Sequence, residues 1–206
     1  MSVFKGLILL TFIGHLALWH CDRIITYLDG GRFDFKAMGD NERLSKLMGN
    51  TALRYPMRSI VLGAFGMTAM FPGYLALCDW MRQFSGVYAA LMCVGSIVCF
   101  LPGVAHHVFC GAVEWMYIRM GKTEEARKII VEFFKKTSST MIACFLGLLL
   151  FAVAFFIPVV TGVTSLPRWA CVFNTLPLFL ALAAFRSAGT GNLVGAIMFA
   201  GLFVLM

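Results

Sequence analysis

The stretch VYAALMCVGSIVCFLPGVAHHVFCGAVEWMYI, residues 87–118, decides the fold. Apart from two histidines, its only ionisable side chain of an acidic or basic residue is that of Glu114. A helix crossing the hydrocarbon core needs about 20 apolar residues, so this run is too long for one upright span. Pro102-Gly103 divides it, which leaves two readings: two spans meeting at Pro102, or one long helix kinked there. The flanking charges decide between them. With one span here, segments 22–58, 119–137 and 186–192 share a side and carry seven, six and one Lys or Arg. The opposite side holds only Lys5, Arg82 and Arg168. Splitting the run would export the six positive charges of 119–137, against the preference of Lys and Arg for the cytoplasmic side. One long helix is the reading.

Working outward, further apolar stretches occupy Val3–Cys21, Ser59–Cys78, Ser138–Val163, Trp169–Phe185 and, more weakly, Ala188 to the C-terminus. The sequence therefore predicts an all-α, polytopic membrane helix bundle of six transmembrane helices, or five if the last segment only dips in. It is a single domain over residues 1–206, with both termini outside and cytoplasmic loops 22–58 and 119–137. Composition agrees: 60% of the 206 residues are hydrophobic and 13% charged, where a soluble domain carries about a quarter charged residues. The mean hydropathy is +0.85. The net charge of +7 lies in the loops between spans, which marks cytoplasmic loops and excludes nucleic acid as the partner. Seven cysteines, without a C-x-x-C pair, sit in or beside apolar stretches and fit neither a disulfide framework nor a zinc ribbon. His15, Trp19 and His20 stand where a signal peptidase would need small residues, so the first span is expected to stay.

Within the basic stretches, a short amphipathic piece covers Glu42–Met48. Gly121 ends the long helix. Thr123 caps the next, with Glu124 and Glu125 in its first turn and Lys135 and Lys136 in its last, matching the helix dipole. Ile129, Ile130, Phe133 and Phe134 form its apolar face. Arg54 and Arg58 stand where lipid phosphate would meet them, and Trp80, Trp115, Trp169 and Tyr117 read as interfacial anchors. Pro72, Pro102, Pro158 and Pro177 interrupt four spans. Discontinuous transporter helices contain such breaks, but prolines are common in membrane helices generally.

All four histidines belong to two spans: His15 and His20 in the first, His106 and His107 in the third. Asp22 follows His15 by seven residues, and Glu114 follows His107 by seven. Seven residues are nearly two turns, so each pair shares a helix face, and both helices run from outside to inside. Polar groups at membrane depth are costly and turn inward to pair or to line a site. One reading is an acid/base pocket for a lipid-like substrate, with His107, Glu114, His15 and Asp22 as the chemical groups. His106, Trp19 and Asn174 are then candidates for ligand contact. A metal or haem site is a second reading, but H-x-x-H and E-x-x-H spacings are missing and no metal ligand set is assigned. The plain alternative is that these groups hydrogen-bond one another near the headgroups. The Gly-rich stretch from Arg186 to Asn192 reads as a turn more readily than as an anion cradle. G-x-S-x-G, H-E-x-x-H and Walker patterns are missing too.

The run Gly14-His15 through Cys21-Asp22-Arg23, then Gly63-Ala64-Phe65-Gly66 leading to Pro72-Gly73-Tyr74, then Gly103-Val104-Ala105-His106-His107-Val108-Phe109, resembles a family of bacterial multipass membrane proteins of unknown function. The similarity covers roughly residues 1–120. It implies a bacterial inner-membrane protein and supplies no activity. The expected function is an intramembrane lipid-binding or lipid-modifying one, with a membrane lipid or a hydrophobic small molecule as partner. A small transporter or channel subunit, or a membrane sensor or scaffold, is the alternative. The sequence names no cofactor and no oligomeric state.

Overall fold

A computed structural model describes residues 1–185 and 187–206. The first span is α1, Val3–Thr26. A two-residue antiparallel hairpin follows, β1 (Tyr27–Leu28) and β2 (Gly31–Arg32), then a 3-10 turn at Phe35–Gly39 and the short helix α2, Asn41–Met48. The next helices are α3, Arg54–Arg82, and α4, Gly86–Arg119. The expected single helix is present: α4 runs unbroken through Pro102 for 34 residues. At 1.5 Å per residue that is about 51 Å, well beyond a hydrocarbon core of about 30 Å. It ends as its sequence dictates. Gly121 adopts φ +78°, the Lys122 N–H donates to the Tyr117 carbonyl (3.0 Å) and the Gly121 N–H to that of Ile118 (3.1 Å).

Helix α5, Glu124–Thr137, starts at the Thr123 cap, and α6, Ser139–Val160, follows it almost directly. Helices α1, α3, α4 and the α5–α6 pair are long and apolar enough to cross a membrane. The last two expected spans differ. Trp169–Phe185 divides into a 3-10 helix, Arg168–Phe173, and a nine-residue α7, Thr175–Ala183. Asn174 sits at the joint as the cap of α7, and Pro177 falls in its first turn, where a missing N–H does no harm. Helix α8, Thr190–Leu205, has 16 residues, about 24 Å at the usual rise. Among the described residues, then, four helices rather than six have the length to span.

The helices pack as an antiparallel row, α8–α1–α3–α4–α6, with α7 between α8 and α6. Lipid offers no hydrophobic drive between helices, so close approach at small residues has to hold them. Two crossings show it. A Cβ on Gly14 would lie 2.8 Å from the Gly66 carbonyl oxygen. One on Gly95 would lie 2.6 Å from the Phe151 nitrogen, and one on Gly147 2.7 Å from the Gly95 oxygen. The apolar outer face is left to the surroundings: Phe65, Leu101, Phe145 and Leu146 are all exposed.

The two basic segments fold together as a cap over one end of this row. Leu28, Ala37, Leu44 and Met48 bury against Val113 and Tyr117 of α4 and Ala126 and Ile130 of α5. Polar bonds fasten the cap: the Tyr117 hydroxyl donates to Asn41 Oδ1 (2.7 Å), Lys122 Nζ to the Gly49 carbonyl (2.5 Å) and Arg127 to the Met38 carbonyl (2.8 Å). Tyr117 is thus a fully buried latch, not the interfacial anchor its position suggested.

Because the groups facing Gly147 are backbone atoms of α4, nothing there can yield. Gly147→Leu is expected to destabilise by about 1–3 kcal/mol, the usual cost of overpacking. Thermal unfolding in detergent checks this, with the lipid-facing Leu146→Ala as control. Equal melting of the two variants would contradict the tight α4–α6 crossing.

Candidate functional site

Helices α1 and α4 run in the same direction, so their polar faces reach the capped end together. His15 and Asp22 come from α1, His107 and Ser59 from α4 and α3, Tyr74 from α3, and Asn192 from the first turn of α8. They form one chain, buried at His15, Tyr74, Ser59 and His107 and half-buried at Asp22 and Asn192. Asn192 Nδ2 donates to Asp22 Oδ2 at 2.7 Å. The amide oxygen is left to accept from His15 Nδ1, 3.3 Å away. That leaves His15 Nε2 as an acceptor, and the Tyr74 hydroxyl 3.1 Å away donates to it. Donor direction is therefore fixed from Tyr74 through His15 and Asn192 to Asp22.

The other oxygen of Asp22 faces His107 Nδ1 at 3.7 Å. His107 Nε2 lies 3.0 Å from the Ser59 carbonyl oxygen. A carbonyl only accepts, so Nε2 carries a proton. Nδ1 is left facing the carboxylate at a distance beyond direct hydrogen-bond reach, so the two side chains meet as an electrostatic contact. Glycines make the room. A methyl on Gly63 would overlap the His107 ring, and one on Gly195 would overlap the His15 ring. Beyond Tyr74 the chain stops, because Phe100, Phe151 and Phe199 surround its ring with centroids 4.7–4.9 Å away.

Glu114 stands two turns further along α4. It is 5% exposed, and among the described residues its side chain makes no hydrogen bond; Oε2 is fully buried. It lines a cavity of about 760 Å³ beneath the cap. Phe33, Phe35, Met38, Val113 and Phe134 supply apolar wall, while Arg32 and Asp34 are exposed toward the mouth. Asp34 is already paired with Arg43 at 3.0 Å. Gly189 joins cavity to chain: it lines the cavity, and its missing Cβ would fall 3.0 Å from Asp22 Oδ2.

The sequence candidates thus separate. His15, Asp22 and His107 meet in the chain, whereas Glu114 belongs to the cavity. Trp19 leans on Gly189 with the Arg23 guanidinium over its ring, and its buried indole N–H has no partner among the described residues. His106 turns away to Thr140 (3.3 Å) and Cys110 (3.4 Å), behind the cavity wall. Asn174 lies apart. Its nitrogen donates to the Ala152 carbonyl (3.0 Å) and its oxygen accepts from the Leu176 N–H (2.9 Å), so its amide works as a cap rather than at the site. Arg186 lies outside the described residues. Sequence reasoning missed Asn192, Tyr74 and Ser59. Among the described residues, no three His, Cys, Asp or Glu side chains are grouped to hold a metal ion.

Asn192 is the one amide joining α8 to α1. Asn192→Leu strands the His15 N–H and one Asp22 oxygen, and the loss should be about 1–3 kcal/mol. A double-mutant cycle with His15→Leu measures it: the pair of changes should cost clearly less than the sum of the two. Strict additivity would mean that the chain is not continuous.

No curated protein and no solved structure matches the chain. One family does, over residues 4–206, nearly its whole length. The chain belongs to the family of unknown function DUF6796.

Proposed function

We propose that this is a six-pass protein of the bacterial inner membrane that binds an amphiphile, a membrane lipid or hydrophobic small molecule, in the cavity under its basic cap. The observation that carries the reading is the cavity itself. Its volume of about 760 Å³ is that of a small-molecule site, its walls are mostly apolar, and the buried Glu114 carboxyl inside it has no partner among the described residues. Leaving such a group unmatched in an apolar wall is costly, so a partner from outside the chain is the economical explanation. The same end carries the loops richest in Lys and Arg, which favours a cytoplasmic cap and a cavity opening at the inner headgroup layer.

The six-pass path rests on how α8 lies. Its first turn touches Asp22 and its last touches Lys5, whose ammonium sits 5.5 Å from the Phe203 ring. The chain therefore returns between α6 and α8 from the far end to the capped end, and the fifth pass is a jointed one. A lipid-modifying role is a second reading, favoured by the carboxylate of Asp22 and the imidazole of His107, an acid and a base side by side near the cavity wall. Conduction has less support, because the polar chain ends against the phenylalanines around Tyr74.

Two measurements test this. Native mass spectrometry of the protein released from mild detergent should show a bound amphiphile. Ser187→Trp, a loop change that fills the cavity, should lower its retention with little change in melting. Equal retention by both proteins would overturn the cavity reading. For orientation, Lys128→Cys should react with a membrane-impermeant maleimide only after cells are opened, measured against the unsubstituted protein. Labelling of intact cells would place the cap outside.

A further inference from the structure

We infer that the amphiphile carries an organic cation, whose positive nitrogen sits against Glu114 inside a phenylalanine-walled chamber. The inference rests on the amphiphile reading above and names its headgroup. Three observations meet at one place. Glu114 is buried, lacks any hydrogen bond among the described residues and has no Lys, Arg or His within ion-pair distance there, although this end of the protein is the basic one. Of the basic residues nearest in sequence, Arg119 is exposed at the end of α4, Lys122 holds the Gly49 carbonyl and Arg127 holds Glu124 and the Met38 carbonyl. Among the described residues, no basic group answers the Glu114 carboxyl.

The walls agree with a cation. Phe35 packs on Phe33 and Phe134 with ring centroids 5.4 and 5.6 Å apart, and all three line the cavity. Aromatic faces attract a positive nitrogen and repel an anion, and the attraction grows where water is excluded. A carboxylate beside them rejects an anionic headgroup outright. Arg32, exposed at the mouth, is then placed to meet an anionic group further along the same molecule, as in a zwitterionic headgroup. An ammonium would donate hydrogen bonds to Glu114, whereas a quaternary nitrogen would rely on the rings, so the shared chemistry is a cation on an apolar chain.

The test uses the full-length protein in nonionic micelles and three probes of equal chain length: tetradecylamine, tetradecyltrimethylammonium and tetradecanol. At least one cation should bind about tenfold or more tightly than the alcohol, as expected of a charge-assisted contact. Glu114→Gln should abolish that preference and leave the alcohol's affinity unchanged, and Glu114→Asp, which keeps the charge, should retain part of it. A stronger amine points to direct hydrogen bonding with Glu114, and a stronger trimethylammonium to the rings. If all three probes bind alike, or if the preference survives in Glu114→Gln, the cation is ruled out while the amphiphile site stands. If no probe binds, both fall.

Discussion

A carboxylate half withdrawn from solvent among apolar helices is best matched from within the protein, and the arrangement of the bundle around Asp22 follows from that demand. One oxygen takes the amide of Asn192 and so pins the first turn of α8 to α1. The other faces His107 and ties α4 to the same point. His107 in turn holds the Ser59 carbonyl of α3, and the Ser59 hydroxyl donates back to the Cys21 carbonyl beside Asp22 (3.1 Å). Four helices thus converge on one charge. In lipid, where packing and internal hydrogen bonds carry the association of helices, such a knot fixes register as well as position.

Small residues let this polar chemistry coexist with tight packing. The imidazoles of His15 and His107 each occupy a notch that a neighbouring helix leaves by having glycine there, at Gly195 and Gly63. The same device repeated at Gly14 and Gly66, and at Gly95 and Gly147, brings whole helices together. The result is a closely packed row with an open cavity at Glu114. The contrast between the two acids is the informative part. Asp22 is answered on both oxygens by the chain itself, while Glu114, only two turns from His107, is answered by nothing described. That contrast is what supports the proposal that Glu114 receives a partner.

The first four spans were legible in the sequence because length and hydropathy leave little choice for an apolar run of that size. The end of α4 and the start of α5 were legible residue by residue, since Gly121, Thr123, Glu124 and Glu125 act through contacts a few positions apart. Trp169–Phe185 was not. Its hydropathy says span, but Asn174 prefers to cap and Pro177 suits a first turn, so local chemistry overrode the average. The pairing of Asp22 with His107 followed from the matching seven-residue spacings on parallel helices. Asn192 and Tyr74 could not be found that way: the links from Asn192 to Asp22 and His15 cross 170 and 177 residues, and no local pattern announces them. The cap was read as two loops because its hydrophobic cluster draws a few residues from each, too sparse to show as a periodic stripe. Tyr117 was misjudged for the same reason, as its partner Asn41 lies in the other basic segment.

The central claim, that the space beneath the cap holds the chain of an amphiphile, can be addressed by position rather than affinity. A photoactivatable diazirine placed midway along an alkylammonium chain, irradiated with the purified protein and mapped by peptide mass spectrometry, reports what the chain touches. The account predicts adducts on the segment from Phe33 to Met38 and at Val113 and Phe134, suppressed by excess unlabelled probe. Adducts confined to the outward surface at Phe65, Phe145 and Leu146, and indifferent to competitor, would contradict it.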